Sequence, residues 1–313
     1  MVQRILGALG AFGVKRALMM PDQNGICAGV LRARERLSAS PEIRWPRLEI
    51  LDMPNEGNAE DTLVAVELMM QEGASAIVVL GGDGTNRVVA ARCGKVPLAT
   101  LSTGTNNVFP DLREATVTGM AAALVARGSV PEDVALRRNK VLRLASTAAE
   151  RPAEIALVDA CVSSLSLAGA RALWRPETLS ELAVTFAEAD VIGLSSIAGM
   201  LQPVARDQAQ GLYLRLVAPR SELARTTVTA AIAPGLVAEV GVVCIKPLMP
   251  GQWMTLQSAS GTIALDGERE IEFSEGEQFA VMLDLSGPRT IDVSRTLAWA
   301  AQNGTLRVDN RAA

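Results

Sequence analysis

The chain of 313 residues predicts an α/β plus all-β fold: an N-terminal domain with a doubly wound parallel sheet, then a C-terminal antiparallel β-sandwich domain. Three observations predict it. Up to about residue 130, short apolar runs alternate with helical patterns, the order of a parallel sheet wound by helices. Two of those runs, residues 76–80 and 97–101, are almost wholly apolar, as strands covered on both faces are. From about residue 138 the pattern becomes a series of short strand-like runs punctuated by Gly, Pro and Ser.

The elements follow in order. Residues 5–14 read as a helix packed on the sheet rather than a signal peptide, because no small-residue cleavage site follows and residues 15–20 read as a strand. Residues 28–38 are a predicted helix and 47–53 a strand. Asn58 is placed to cap a helix with Leu63, Val66 and Met70 on one face, and Gly73 to end it. A strand over 76–80, a helix over 85–93, a strand over 97–101 and a helix over 113–127 complete the first unit. Gly128 and Pro131 stop the last helix. Strands are expected over 141–146, 154–163, 212–218, 226–233, 237–245, 253–257, 261–265, 270–273 and 278–285, with a helical interruption over 169–190. Residues 292–302 form an amphipathic helix. The expected division is 1–130 for a nucleotide-binding domain and 138–290 for a sandwich substrate domain, with 291–313 returning to the first.

Composition removes several function classes. The net charge of −4 comes with no basic block, so nucleic acid is not an expected partner. There is no histidine, which excludes Ser-His-Asp and Cys-His catalysis and any His-ligated metal. Acid–base work falls to carboxylates, lysines or Tyr213, the one tyrosine. Cys27, Cys93, Cys161 and Cys244 are scattered and read as buried free thiols, which fits the cytoplasm. No apolar run is long enough to span a membrane, so no stable membrane insertion is expected.

The chemistry concentrates in two turns. Gly81-Gly82-Asp83-Gly84-Thr85-Asn86 follows the run ending at Leu80, and Ser102-Thr103-Gly104-Thr105-Asn106-Asn107 follows the run ending at Leu101. Glycines let the backbone approach a ligand, and N–H and hydroxyl groups with little side-chain bulk suit phosphate. Asp83 in the middle would repel phosphate unless a metal or a reacting hydroxyl stood between them, which suggests phosphoryl transfer with Mg²⁺. The first turn is not a Walker loop, since Gly94-Lys95 is followed by Val96, and it is not a dinucleotide fingerprint. Farther on, Asp266-Gly267-Glu268 reads first as a plain hairpin turn.

Gly81-Gly82-Asp83-Gly84-Thr85, the Thr-Gly-Thr-Asn turn and the distal Asp266-Gly267-Glu268 together resemble the superfamily of NAD kinases, diacylglycerol kinases and sphingosine kinases. Residues 102–110 and 169–174 are most similar to the ATP-NAD kinase-like acetoin-catabolism protein X group. The resemblance implies an NAD kinase-like fold with a nucleotide in the cleft between its two units, ATP and Mg²⁺ as cofactors, and NAD as acceptor. It implies Asp83 as catalytic base or Mg²⁺-linked carboxylate, and Asp266, with Glu268 beside it, as an alternative base. Asp159 stands about where NAD kinases carry an Asn-Glu pair, and Gly193 to Gly199 about where they carry Gly-Ser-Thr-Ala. A homodimer or homotetramer is implied as well. Against the family pattern the chain reads as starting near the second strand, without the Asn-Pro-x-Ser-Gly loop. The functional expectation is an ATP-dependent kinase acting on the NAD ribose 2′-hydroxyl. The alternatives are a catalytically silent nucleotide-binding regulator of a catabolic pathway, or a kinase of a lipid or other small-molecule alcohol.

Overall fold

The computed structural model describes residues 1–37, 44–146, 153–164 and 175–307. The N-terminal unit runs α1 (Val2–Ala11), β1 (Arg16–Met19), α2 (Ile26–Leu37), β2 (Arg47–Ile50), α3 (Ala59–Gln71), β3 (Ile77–Leu80), α4 (Asp83–Arg92), β4 (Leu98–Leu101), α5 (Ala115–Ala126), α6 (Glu132–Ala135) and β5 (Leu136–Arg138). Local chemistry sets the boundaries. Asn58 accepts the N–H groups of Glu60 and Asp61, while Asp61 returns a bond to the Asn58 N–H, a full capping box that fixes the start of α3. Gly73, at φ +76°, ends the same helix, as a residue without Cβ can. Glu114 caps α5 by accepting from Thr116 and Val117.

The C-terminal unit runs β6 (Val141–Ser146), β7 (Glu154–Ala156), β8 (Asp159–Ser163), a 3-10 turn (Pro176–Thr178), β9 (Leu179–Val184), α7 (Ser195–Gly199), β10 (Gly211–Val217), β11 (Thr226–Ala233), β12 (Leu236–Leu248), β13 (Trp253–Thr255), β14 (Gly261–Leu265), β15 (Glu268–Phe273) and β16 (Phe279–Asp284). The chain closes with β17 (Arg289–Ile291) and α8 (Val293–Gln302).

Strand pairing separates the two units. β3 and β4 pair in parallel, β17 joins β4 in parallel, and β5 closes the sheet antiparallel to β17, so the chain end returns to the N-terminal sheet. β1 and β2 form a separate parallel pair. Leu9 of α1 packs against the apolar clusters of both sheets and so bridges them. The sandwich has a seven-stranded sheet in the order β11-β12-β10-β9-β8-β14-β15 and a four-stranded sheet in the order β13-β16-β6-β7. Leu144, Val162, Tyr213, Ile263, Val281 and Leu283 fill the space between them. Ile197 and Ala198 of α7 cover the opposite face of the large sheet against Leu182 and Leu214. Among the described residues no helix is long and apolar enough to cross a membrane.

The structure corrects two sequence expectations. The helical reading of 169–190 fails where it can be followed: residues 169–174 lie outside the described residues, and β9 occupies Leu179–Val184. Leu179 and Leu182 have helical spacing, and Glu181 supplies the charge expected of a solvated face. Yet β9 lies in the middle of the large sheet, and Glu181 is buried, accepting from Tyr213 and from the N–H groups of Gln257 and Ser258. Tertiary pairing overrides the local pattern. The single strand expected over 154–163 is two strands in different sheets, broken at Leu157 and Val158.

Candidate functional site

The break between β7 and β8 is the first part of the site. Leu157 and Val158 do not spend their N–H groups on a ladder. Leu157 N–H donates to Asp266 Oδ1 and Oδ2 (3.0 and 2.9 Å) and Val158 N–H to Oδ1 (2.7 Å). Asp159 N–H adds a longer bond of 3.2 Å. Asp266 sits in the two-residue turn between β14 and β15, with φ +52° followed by Gly267 at φ +82°. Two positive φ values are what the tight I′ hairpin requires, and aspartate followed by glycine tolerates them. The plain hairpin reading is therefore correct for the backbone, while the side chain has a second task.

Asp83 is held the same way on the N-terminal side. α4 starts at Asp83, with Gly82 as its N-cap and no side chain capping that end. Val108 N–H donates to Asp83 Oδ1 and Oδ2 (3.1 and 2.9 Å), and Phe109 N–H to Oδ1 (2.7 Å). These donors follow the second polar turn, so the bonds join the two turns. The second turn is also tied within itself, and its Asn107 lies against the first. Asn107 Nδ2 donates to Ser102 Oγ at 2.8 Å, and Ser102 Oγ to Gly104 O at 2.9 Å. A Cβ on Gly82 would collide with Asn107 Oδ1. Asn86 Nδ2 donates to Gly82 O at 2.8 Å.

The hairpin and the glycine turn also meet. A Cβ on Gly84 would lie 2.8 Å from Glu268 Oε1, so the exposed Glu268 carboxylate rests on the first turn of α4. A Cβ on Gly81 would lie 2.6 Å from the Thr85 side chain. Close approach thus favours glycine at 81 and 82, while at 84 the neighbour is the movable end of the Glu268 side chain. The uncapped end of α4 presents backbone N–H groups and the positive end of the helix dipole to an anion.

Burial sets the electrostatics. It raises Asp83 to about 6, against the N–H bonds from Phe109 and Val108 and the charge of Arg206, which act to lower it. It raises Asp266 to about 7; the Leu157 N–H opposes this, and the charge of Asp83 adds to it. Asp159 is held well above the ordinary carboxylate range by burial, then by the charges of Asp266 and Asp83. Three aspartates from three separate segments are thus close enough to repel one another. Arg87 of α4 lies 3.9 Å from Asp266 Oδ2 and from Glu154 Oε2. Among the described residues, the buried Asn86 Oδ1, Asp159 Oδ1 and Ser195 Oγ at this site have no hydrogen-bond partner.

The arrangement suits a nucleotide better than a protein-held metal. Among the described residues no group of three or more acidic or cysteine side chains is spaced to hold an ion, and Asp83 commits both oxygens to N–H groups. A Mg²⁺ ion linked to Asp83 would therefore be shared with the phosphates of a nucleotide, the usual way a single carboxylate takes part in holding this ion. Tyr213 is buried in the sandwich core with its hydroxyl on Glu181, away from the two turns.

A model of the ATP-NAD kinase N-terminal domain matches residues 9–130, and a model of the acetoin catabolism protein X C-terminal domain matches residues 140–286. Acetoin catabolism protein X of Cupriavidus necator is 42% identical over 310 residues, covering 98% of this chain and 85% of that protein. The chain belongs to the acetoin catabolism protein X family. Its fold is NAD kinase-like: the crystal structure of yeast NADH kinase complexed with NADH matches with a TM-score of 0.51 at 13% identity, over 100% of this chain and 84% of the other.

In this member of the acetoin catabolism protein X family, β1, β2 and the Pro21-Asp22-Gln23-Asn24-Gly25 turn lie inside the matched N-terminal region. The structure gathers Gly81, Gly82, Asp83, Gly84, Thr85 and Asn86 with Ser102, Gly104 and Asn107, and brings Asp159, Asp266 and Glu268 to them. Thr103, Thr105 and Asn106 lie exposed in the same turn. Ser195, at the start of α7, donates its N–H to Asp159, which brings residues 193–199 to the site. The segment 169–174 lies outside the described residues. The sequence reading missed Arg87, Glu188 and Arg206. Arg87 was within reach of it, because it lies one turn along the helix from Asp83. Arg206 and Glu188 carry no motif.

Proposed function

We propose that this protein is a phosphotransferase that moves the terminal phosphoryl group of ATP to a hydroxyl, with the NAD ribose 2′-hydroxyl as acceptor. One observation carries the reading: the uncapped, glycine-lined start of α4 faces Asn107 on one side and Glu268 on the other, so two phosphate-type turns and a carboxylate hairpin converge. ATP phosphates would lie against the N–H groups of residues 82–85 and the second turn. Asp83 would accept the acceptor proton. Its carboxyl, raised to about 6, is ionised at neutral pH and still basic enough to take a proton in the transition state. Asp266 is the less suitable base, because its carboxylate is wholly enclosed and holds the β7–β8 break. The unpaired Asn86 Oδ1, Asp159 Oδ1 and Ser195 Oγ supply polar groups for the acceptor. The match of residues 9–130 to the ATP-NAD kinase N-terminal domain supports a kinase. The homo-oligomer and the cytoplasmic setting belong to this same proposal.

A second reading draws on the aspartates themselves. Asp83 and Asp266 both spend their oxygens on main-chain N–H groups, which a silent nucleotide-binding regulator would also do. Purified protein with ATP in Mg²⁺-containing buffer, offered NAD, NADH, diacylglycerol and short polyols in turn, separates the readings. NADP formation establishes the proposed acceptor. Transfer to another hydroxyl reassigns it, and ATP binding with no transfer leaves the regulator.

A further inference from the structure

The peptide that holds Asp83 is itself held from its other side. Val108 O accepts from Arg206 Nη2 at 2.7 Å and Phe109 O from Arg206 Nη1 at 3.3 Å. The N–H groups of these same two residues donate to Asp83. Arg206 belongs to the C-terminal unit, in the segment between α7 and β10. It is fixed there from three directions. Glu188 accepts from Nε at 3.0 and 3.2 Å and from Nη2 at 3.0 Å. The guanidinium carbon lies 4.2 Å from the centre of the Phe186 ring. The loop that carries Arg206 is gathered by the buried Lys140, whose Nζ donates to the carbonyls of Ala205, Gln208 and Gln210 at 3.0, 2.8 and 2.8 Å.

We propose that Arg206 is a positioning residue: its fork grips the carbonyls of Val108 and Phe109, keeps their N–H groups on Asp83, and makes the alignment of Asp83 depend on the seating of the sandwich against the N-terminal sheet. The planar guanidinium is suited to this, since it reaches two carbonyls while still paired to a carboxylate. A lysine would keep the charge and lose the fork. The catalytic part of the inference rests on the kinase reading; the structural part does not.

The molecule supplies its own control. Leu157 and Val158 hold Asp266 with the same bonding pattern, but their carbonyls are met by Thr185 Oγ1. Residue-resolved amide exchange on the full chain therefore tests the proposal without any activity. In Arg206→Gln, protection at Val108 and Phe109 should fall by about tenfold or more, as expected for loss of a charge-assisted bond, while Leu157 and Val158 keep theirs. Where transfer is measurable, kcat should fall by about 10²-fold with the KM for ATP held within about threefold. Arg206→Lys should recover only a minor part of kcat. Unchanged protection at 108 and 109, or lost protection with full kcat, overturns the proposal. If Arg206→Gln does not fold, Glu188→Ala decides, because it leaves the fork in place and removes its anchor: protection at 108 and 109 must still fall. If the wild-type protein transfers phosphoryl to no acceptor, the kinase reading fails and the exchange result still judges Arg206.

Discussion

Asp83 and Asp266 are held by the same device. Each follows a strand, each precedes a glycine, and each accepts the N–H groups of two successive apolar residues from a distant segment. The three shortest bonds measure 3.1, 2.9 and 2.7 Å at Asp83 and 3.0, 2.9 and 2.7 Å at Asp266. One aspartate ties the two polar turns together, and the other ties the β14–β15 hairpin to the break between β7 and β8. The two carboxylates are thereby brought near enough for the charge of Asp83 to act on Asp266.

Removal of Asp266 should cost stability first. Asp266→Ala leaves the N–H groups of Leu157, Val158 and Asp159 buried and without their acceptor. An orphaned buried donor costs about 1–3 kcal/mol, and the three share one relaxing segment, so a loss of about 3 kcal/mol is expected. Urea unfolding measures it. A loss below about 1 kcal/mol would show that the anchor is weaker than its geometry.

Two of the glycines in the first turn should differ in their tolerance of alanine. At Gly82 a Cβ strikes Asn107 Oδ1, and Asn107 is tied to Ser102 through its amide. At Gly84 it meets Glu268, a long, exposed side chain that can swing away. Gly82→Ala should therefore destabilise by about 1–3 kcal/mol and weaken ATP binding. Gly84→Ala should do less, and Glu268→Ala should relieve most of what it does. Thermal melts with and without ATP read both effects.

How much of this was legible in the sequence depends on how local the cause is. The α3 cap at Asn58, the glycine turn and the Asp266-Gly267 hairpin are written in adjacent residues, and the structure forms all three. The two-unit architecture was legible because parallel and antiparallel strands carry different apolar patterns. The helix expected over 169–190 failed at β9 because Glu181 looks like a surface charge until Tyr213, Gln257 and Ser258 are folded against it. The split at Leu157 was invisible because its cause, Asp266, is far away in the chain. Arg206 and Glu188 were missed for the same reason: an arginine bound to main-chain carbonyls leaves no trace in its neighbours.

The aspartate cluster sets a sign for pH dependence. Asp83 at about 6, Asp266 at about 7 and Asp159 higher still all have folded values above the unfolded value of 3.8. The folded state thus binds more protons than the unfolded state between these limits. The stabilisation from these groups is complete below about pH 4 and is lost as pH rises through 6 and 7. The melting temperature should be higher at pH 5.5 than at pH 7.5 as far as this cluster governs it. Asp159→Asn, which removes the most strongly raised carboxyl, should flatten the slope and leave stability at pH 7.5 equal or higher. A steeper slope in that variant would contradict the assignment.

The most direct test of the account is the rate of NADP formation from ATP and NAD by the wild-type protein and by Asp83→Asn at pH 7.5, with ATP affinity measured on both. A positioned general base contributes about 10²- to 10⁴-fold. The account predicts transfer by the wild-type protein and a loss of that size in the variant, with ATP affinity little changed. An ATP-binding wild-type protein that transfers to no hydroxyl, or a variant within tenfold of the wild-type rate, would contradict it.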